Sequence, residues 1–237
     1  MPVGRTPRSI TLAGLSDPAE PADLTQAEAR LLRAWTDHRT ERLTEDDLVG
    51  TAETGWPDVD ILHAAGHSTV DPAGIATLTL PGGPTVSLSR IRRVLGRLSA
   101  APRLVLWSSC RTALRDARLP GEHLGLSGMS LELDCARVVA TSLPVPDVSA
   151  FLFTTRFLHQ LRSGTPAGRA WQLAVRWLAD STAEQILPWL GEIGDMIGSG
   201  SDIEVVRLLA WLRTQRSDSQ PFASPVYWAQ LCYIGAP

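Results

Sequence analysis

Apolar and polar positions change along the chain in short blocks that predict strands and helices in alternation. Apolar runs bounded by Gly, Pro or Ser predict strands at 9–15, 59–65, 104–107, 137–142 and 228–234, and a hairpin at 75–80 and 85–87. Apolar residues at helical spacing predict helices at about 25–35, from Ser87 or Ser89 to Leu98, and at 122–135, 147–162 and 166–180. Because strands alternate with helices, the pattern predicts an α/β fold with a parallel-dominated central sheet and helices on both faces.

The same pattern suggests one domain with a short lead-in. We predict that residues 1–8 are a disordered lead-in and that residues 9–237 form a single domain. Within it, residues 181–218 contain two further amphipathic segments, which we interpret as a helical insertion. We favour core packing over a partner-binding groove as the reason for their apolar faces.

Composition excludes several classes of protein. The 237 residues are 44% hydrophobic with a formal net charge of −3, and the basic residues are dispersed, so no nucleic-acid-binding surface is predicted. A membrane span needs about 18 apolar residues in a row, and no apolar run approaches that length. The first residues lack the apolar region of a signal peptide. We therefore expect a cytoplasmic protein without a cofactor. All 22 basic residues are Arg, which favours a GC-rich, bacterial gene.

The cysteines give no support to a disulfide framework or a zinc site. The chain has three, Cys110, Cys135 and Cys232, which is an odd number at wide spacing with no C-x-x-C pair. No metal site is predicted. His63 and His67 could suggest a metal pair, but the segment reads as a strand and no third ligand is evident.

Two predicted strands end close to side chains that could carry out acyl transfer. His67 follows the strand at 59–65, and Cys110 follows the strand at 104–107. In open α/β sheets, catalytic groups gather at the carboxyl ends of strands. A thiolate nucleophile with an imidazole base is the minimal set for this chemistry. Taken singly, each residue is more often a packing residue at a strand end.

Four sequence blocks carry a family resemblance, in the expected order. They are ILHAAGH at 61–67, LVLWSSCRTA at 104–113, LDCARVVATSLPVPD at 133–147 and SPVYWAQLCYIG at 224–235. Together they resemble the histidine motif, the nucleophile motif and two later strands of CHAT domains. These domains are caspase-like cysteine peptidases of clan CD, related to separase and often associated with TPR repeats.

The resemblance implies a fold, an activity and a partner. The fold is a caspase-like three-layer αβα sandwich. Cys110 matches the nucleophile and His67 the general base, while the backbone N–H groups of Cys110 and Ser68 match the oxyanion hole. The implied activity is that of a latent cysteine endopeptidase that cleaves a protein substrate. A sensor protein, of the TPR type or another, would control it in trans or from a region outside this chain.

Asp147 has two interpretations. Separases, which are distant relatives, have an Asp in the comparable turn that helps to recognise a basic P1 side chain, and an Asp in this place would pair with Arg or Lys. Alternatively, Asp147 is the N-cap of the helix at 147–162. We favour the N-cap, and the two roles are compatible.

Departures from the family pattern motivate other hypotheses. Ser68 follows His67 where the family usually has Gly, and Leu143 replaces the usual Trp. A catalytically decayed caspase-like interaction or scaffold domain is therefore the alternative function. A different Cys-dependent hydrolase or transferase on an α/β sheet is a third hypothesis.

Overall fold

The computed structural model describes most of the chain, in two compact units. The described residues are 7–13, 24–42, 59–70, 76–79, 85–96, 100–109, 112–113, 125–198 and 203–235. The first unit comprises residues 1–17, 36–144 and 231–236, and the second comprises residues 18–35, 145–230 and 237. The prediction of one domain over residues 9–237 stays a prediction.

Strands and helices are numbered along the described residues. The strands are β1 (Arg8–Ala13), β2 (Asp37–Arg42), β3 (Ile61–Ala65), β4 (His67–Val70), β5 (Ala76–Thr79), β6 (Thr85–Ser87), β7 (Leu104–Ser108), β8 (Arg137–Thr141) and β9 (Leu231–Gly235). The helices are α1 (Leu24–Trp35), α2 (Leu88–Leu95), α3 (Leu126–Glu132), α4 (Asp147–Arg162), α5 (Ala167–Asp180), α6 (Ala183–Ile197) and α7 (Ile203–Arg213). Among these helices, none is long and apolar enough to cross a bilayer.

A six-stranded sheet forms the centre of the first unit. Its order is β2-β1-β3-β7-β8-β9, and every neighbouring pair is parallel except β8 and β9. All five residues of β3 are buried, as are the first four of β7. Continuous apolar runs of this kind are typical of parallel strands covered on both faces. The predicted α/β class with a parallel-dominated sheet is therefore confirmed.

Several elements differ from the sequence prediction. β2 was missed because its sequence, DHRTER, is polar throughout; it forms an edge of the sheet, where charged residues are common. β1 begins at Arg8, inside the predicted lead-in, while residues 1–6 of that prediction lie outside the described residues. β9 begins at Leu231, later than predicted, because a 3₁₀ helix at Pro225–Tyr227 and a turn precede it.

A buried aspartate connects three strands at their amino ends. Asp60, just before β3, accepts a hydrogen bond from the backbone N–H of Arg8 through Oδ2 at 2.9 Å, and its own N–H donates to the Arg8 carbonyl at 2.9 Å. The N–H of Leu104 donates to the Asp60 carbonyl at 3.0 Å. The starts of β1, β3 and β7 are thus fixed relative to one another.

A second, three-stranded sheet follows directly from β3. β4, β5 and β6 form an antiparallel meander in that order. The β5–β6 hairpin was predicted. β4 was not, because the prediction ended the preceding strand at Gly66 and His67 and recognised no new strand in the short sequence HSTV.

The second unit is helical in its described part. The predicted helices at 147–162 and 166–180 correspond to α4 and α5. The predicted insertion at 181–218 contains α6 and α7, whose apolar faces are buried as expected; their buried residues include Ile186, Leu190, Ile193, Val205, Leu208 and Leu212.

Aromatic and cationic side chains meet in this unit. The guanidinium of Arg156 lies 5.2 Å from the ring centroid of Trp177 and 4.8 Å from that of Trp189, a cation–π arrangement. The imidazole of His159 lies edge-on to Trp189 at 4.9 Å and 6.1 Å from Trp35. Burial, and next the positive charge of Arg156, lower the pKa of His159, while Glu192 acts in the opposite direction and Arg162 adds to the lowering.

This pKa shift predicts that the protein loses stability in mild acid. The unfolded chain binds a proton at His159 near the ordinary pKa of about 6.5, whereas the folded chain binds it only at lower pH, so stability falls as the pH drops through that value. Urea unfolding at pH 7.5 and 5.5 should show a smaller loss for His159→Gln than for the wild type. His67→Gln is the matched control, and an identical loss in His159→Gln and the wild type would contradict the prediction.

Candidate active site

The register of β3 and β7 brings two strand ends to one edge of the sheet. Ile61 pairs with Leu104 at one end and Ala65 pairs with Ser108 at the other. Beyond the last pair, the N–H of Gly66 donates to the Ser108 carbonyl at 3.3 Å. The segments that follow both strands therefore start side by side at the carboxyl edge, where α/β proteins place their ligand and catalytic groups.

His67 is the first residue of the three-stranded sheet. Gly66, with a φ of 156°, is the single residue between the end of β3 and the start of β4. Residues other than glycine rarely adopt such a φ. His67 is exposed and lies opposite Thr79 of β5, so the imidazole is on the outward face of this sheet.

Ser68 has its side chain on the other face of β4. It is 9% exposed and lies opposite Leu78, which is a core residue at 1%. Its Cβ is therefore not on the face that carries His67. Its hydroxyl oxygen has no hydrogen-bond partner among the described residues. The predicted role of Ser68 concerns its backbone N–H, and that role stays a prediction.

Cys110 itself lies outside the described residues, and its role as nucleophile stays a prediction. The described residues on either side of it are held firmly. The carbonyl of Ser109 accepts hydrogen bonds from the hydroxyls of Thr141 at 2.8 Å and Thr112 at 3.2 Å. The N–H of Thr141 donates to the Thr112 hydroxyl at 3.0 Å, and the N–H of Ala113 donates to the Thr141 carbonyl at 2.8 Å.

These bonds define an anchor that we call the threonine network: Ser109, Thr112 and Thr141, all buried. Thr141 is the last residue of β8, which neighbours β7. Sequence reasoning missed the role of Thr112 and Thr141. The signal available was the position of Thr141, a polar residue that ends an apolar strand next to the strand of the candidate nucleophile.

His63 and His67 do not form a pair. His63 is fully buried within β3, opposite Leu106, as expected for a packing residue, whereas His67 is exposed on the other sheet. Within the described part of the chain, no group of three or more His, Cys, Asp or Glu side chains could hold a metal ion.

Asp147 is the first residue of α4, in the second unit, and it is exposed. The N-cap of this helix is Pro146, and no side chain caps it. The predicted N-cap role of Asp147 is therefore wrong. Asp147 stands one position later, where its negative charge still complements the helix dipole. Its role in substrate recognition stays a prediction.

The other two cysteines pack in or against the core of the first unit, as expected. Cys135 is buried, while Cys232 in β9 is half-buried. Burial, with a further contribution from Asp134, raises the pKa of the Cys135 thiol to about 11. This thiol is therefore almost entirely protonated at neutral pH, and the thiolate is the reactive form.

Because of the threonine network, we predict that Thr141→Val destabilises the folded protein. Valine keeps the shape of threonine but removes a buried hydrogen bond to the Ser109 carbonyl, so the free energy of unfolding should fall by about 1–2 kcal/mol. Chemical denaturation measures this change. Thr214→Val, which removes an exposed hydroxyl, is the control. Equal effects of the two substitutions would show that the network contributes nothing.

Comparisons with known proteins give one family match and two distant structural likenesses. The chain matches the family model described as the CHAT domain over residues 5–236. Among solved structures it is similar to the Arg-specific cysteine proteinase gingipain R, at 9% identity and a TM-score of 0.42, over 81% of this chain and 44% of that one. It is also similar to the RcsB response regulator of Salmonella typhimurium, at 15% identity and a TM-score of 0.32, over 89% and 99%.

This chain spans less than half of the gingipain chain. Neither structural likeness carries an argument about function at these TM-scores, and no curated protein sequence matches the chain. The family model, in contrast, covers residues 5–236, a range that includes all four sequence blocks. The chain therefore belongs to the CHAT domain family, and its fold is of the α/β class with a mostly parallel sheet.

Proposed function

We propose that this CHAT domain is a cysteine endopeptidase in which Cys110 and His67 form the catalytic dyad. The observation that supports it best is the in-register pairing of β3 with β7. Because of this pairing, the segment that begins with Gly66 and His67 starts beside Ser108 and Ser109, which directly precede Cys110. The exposure of His67 leaves its imidazole accessible to a substrate.

In the proposed reaction, the sulfur of Cys110 attacks the carbonyl carbon of the scissile amide, and the imidazole of His67 takes the thiol proton. The carbonyl oxygen becomes an oxyanion, which the N–H groups of Ser68 and Cys110 bind. When the carbonyl reforms, the C–N bond breaks and His67 gives its proton to the leaving amine. Water then hydrolyses the thioester with His67 as base, and the thiol is restored.

The burial of the Ser68 side chain supports an intact dyad. The alternative, a decayed scaffold domain, is motivated by Ser68 in place of glycine and Leu143 in place of tryptophan. Because the Ser68 side chain is on the buried face of β4, it does not occupy the face of His67. Leu143 is 51% exposed, so it fills no core position that tryptophan would have to occupy.

Substrate choice and control belong to the same proposal. Asp147 would pair with a basic P1 side chain, since its carboxylate is exposed and makes no capping hydrogen bond to the helix. A sensor protein would hold the enzyme latent until its signal arrives. The proposed location is the cytoplasm of a bacterium, where a buried thiol such as that of Cys135 stays reduced.

The dyad is tested by peptide cleavage and by thiol labelling. With Arg-P1 coumarin amides, alone and with the protein's genomic neighbours, Cys110→Ala should abolish turnover and His67→Ala should lower it by about 10²–10⁴-fold. Cys232→Ser is the control and should retain activity. Iodoacetamide should modify Cys110 faster than Cys135, whose thiol pKa is about 11, or Cys232.

Two results would overturn the assignment. Turnover that persists in Cys110→Ala would mean that another group performs the chemistry. If instead no substrate is cleaved under any condition and Cys110 is alkylated no faster than Cys232, the scaffold function is correct.

The basic P1 preference is tested separately with Asp147→Asn. Loss of a charge-assisted bond worth about 1.5–3 kcal/mol should lower kcat/KM for Arg-P1 substrates by about tenfold to a hundredfold. Asp180→Asn, at the exposed end of α5, is the matched control. If Asp147→Asn behaves like Asp180→Asn, Asp147 does not select P1.

A further inference from the structure

The three-stranded sheet has two chemically different faces. On one face, Ser68, Leu78 and Val86 are buried, with exposures of 9%, 1% and 0%. The other face, which we call the hydroxyl face, is at least partly exposed at every position. Its members alternate with the buried residues along the three strands: His67, Thr69, Thr77, Thr79, Thr85 and Ser87.

The hydroxyls of this face pair across the strands. The Thr69 and Thr77 oxygens are 2.9 Å apart, and the Thr79 and Thr85 oxygens are 2.8 Å apart. Each hydroxyl has one donor hydrogen and two acceptor lone pairs. A hydrogen-bonded pair uses one hydrogen and one lone pair, so each pair still offers one donor and several acceptors to a ligand, in positions fixed by the sheet.

His67 belongs to the same face and lies directly opposite Thr79. In the reaction proposed above, this imidazole donates its proton to the nitrogen of the leaving amine. The substrate residues that follow the scissile bond must therefore leave the site next to His67. β4 is also an edge of its sheet among the described strands, so a chain passing there meets no strand beyond it.

We propose that the hydroxyl face binds the leaving-group side of the protein substrate, the residues that follow the scissile bond. This inference rests on the proposed peptidase function. None of the six described members of the face carries a carboxylate or guanidinium, so it suits uncharged polar side chains and the peptide backbone. An apolar side chain placed there would strip water from the free donors and acceptors without replacing their hydrogen bonds.

The test compares two substrates that differ only after the scissile bond. One is an Arg-P1 coumarin amide, which has no peptide residues beyond it, and the other is an internally quenched peptide that continues with Ser and Gln. In the double variant Thr77→Val/Thr79→Val, the ratio of kcat/KM for the peptide to that for the amide should fall about fivefold to tenfold, as expected for one or two lost hydrogen bonds. Serine at both positions keeps the hydroxyls and should restore the ratio.

Thr165→Val, which removes a partly buried hydroxyl in the second unit, is the control and should leave the ratio unchanged. An unchanged ratio in the double valine variant would overturn the inference, whether both rates fall together or neither falls. That result would give the hydroxyl pairs a purely structural role while leaving the peptidase in place. Absence of any turnover that depends on Cys110 would instead overturn the proposed function, and this inference with it.

Discussion

The in-register pairing of β3 with β7 is the interaction on which the candidate site depends. Parallel strands can slide only if every backbone hydrogen bond between them is broken, and here both strands are also buried. Asp60 fixes the amino ends of β1, β3 and β7, while the bond from Gly66 to Ser108 continues the pairing past the carboxyl ends. The distance between the points where the two following segments start is therefore set by the sheet.

Buried hydrogen bonds hold the described main-chain groups on either side of the candidate nucleophile. The Ser109 carbonyl accepts two hydroxyl bonds, and Thr141 uses its N–H and hydroxyl within the threonine network and its carbonyl to accept from the N–H of Ala113. Three strands thus contribute to the site: β3 leads to His67, β7 leads to Ser109, and β8 supplies Thr141. Each residue stands at or just beyond the carboxyl end of the strand named with it, which is why a rigid sheet can position them together.

Much of the fold and part of the candidate site could be predicted from the sequence, and the predictions that failed did so for identifiable reasons. β3 and β7 were recognised because their apolar runs must be buried on both faces, and His67 follows from where the first run ends. β2 was missed since an edge strand can be entirely polar, and β4 was missed since four residues are too few for a periodic signal. The threonine network depends on contacts between residues far apart in the chain, such as Thr112 and Thr141, which periodicity does not encode. Asp147 was misplaced by one position, because Pro146 already supplies the extended backbone that an N-cap needs.

The single residue at position 66 has a mechanical consequence. With only Gly66 between the two sheets, the imidazole is carried by paired strands whose other face is packed in the core. Displacing the backbone of His67 would have to lift Leu78 and Val86 out of that core or distort a backbone angle that residues other than glycine rarely adopt. Any event that displaces His67 as a whole would therefore have to move the three-stranded sheet together with it.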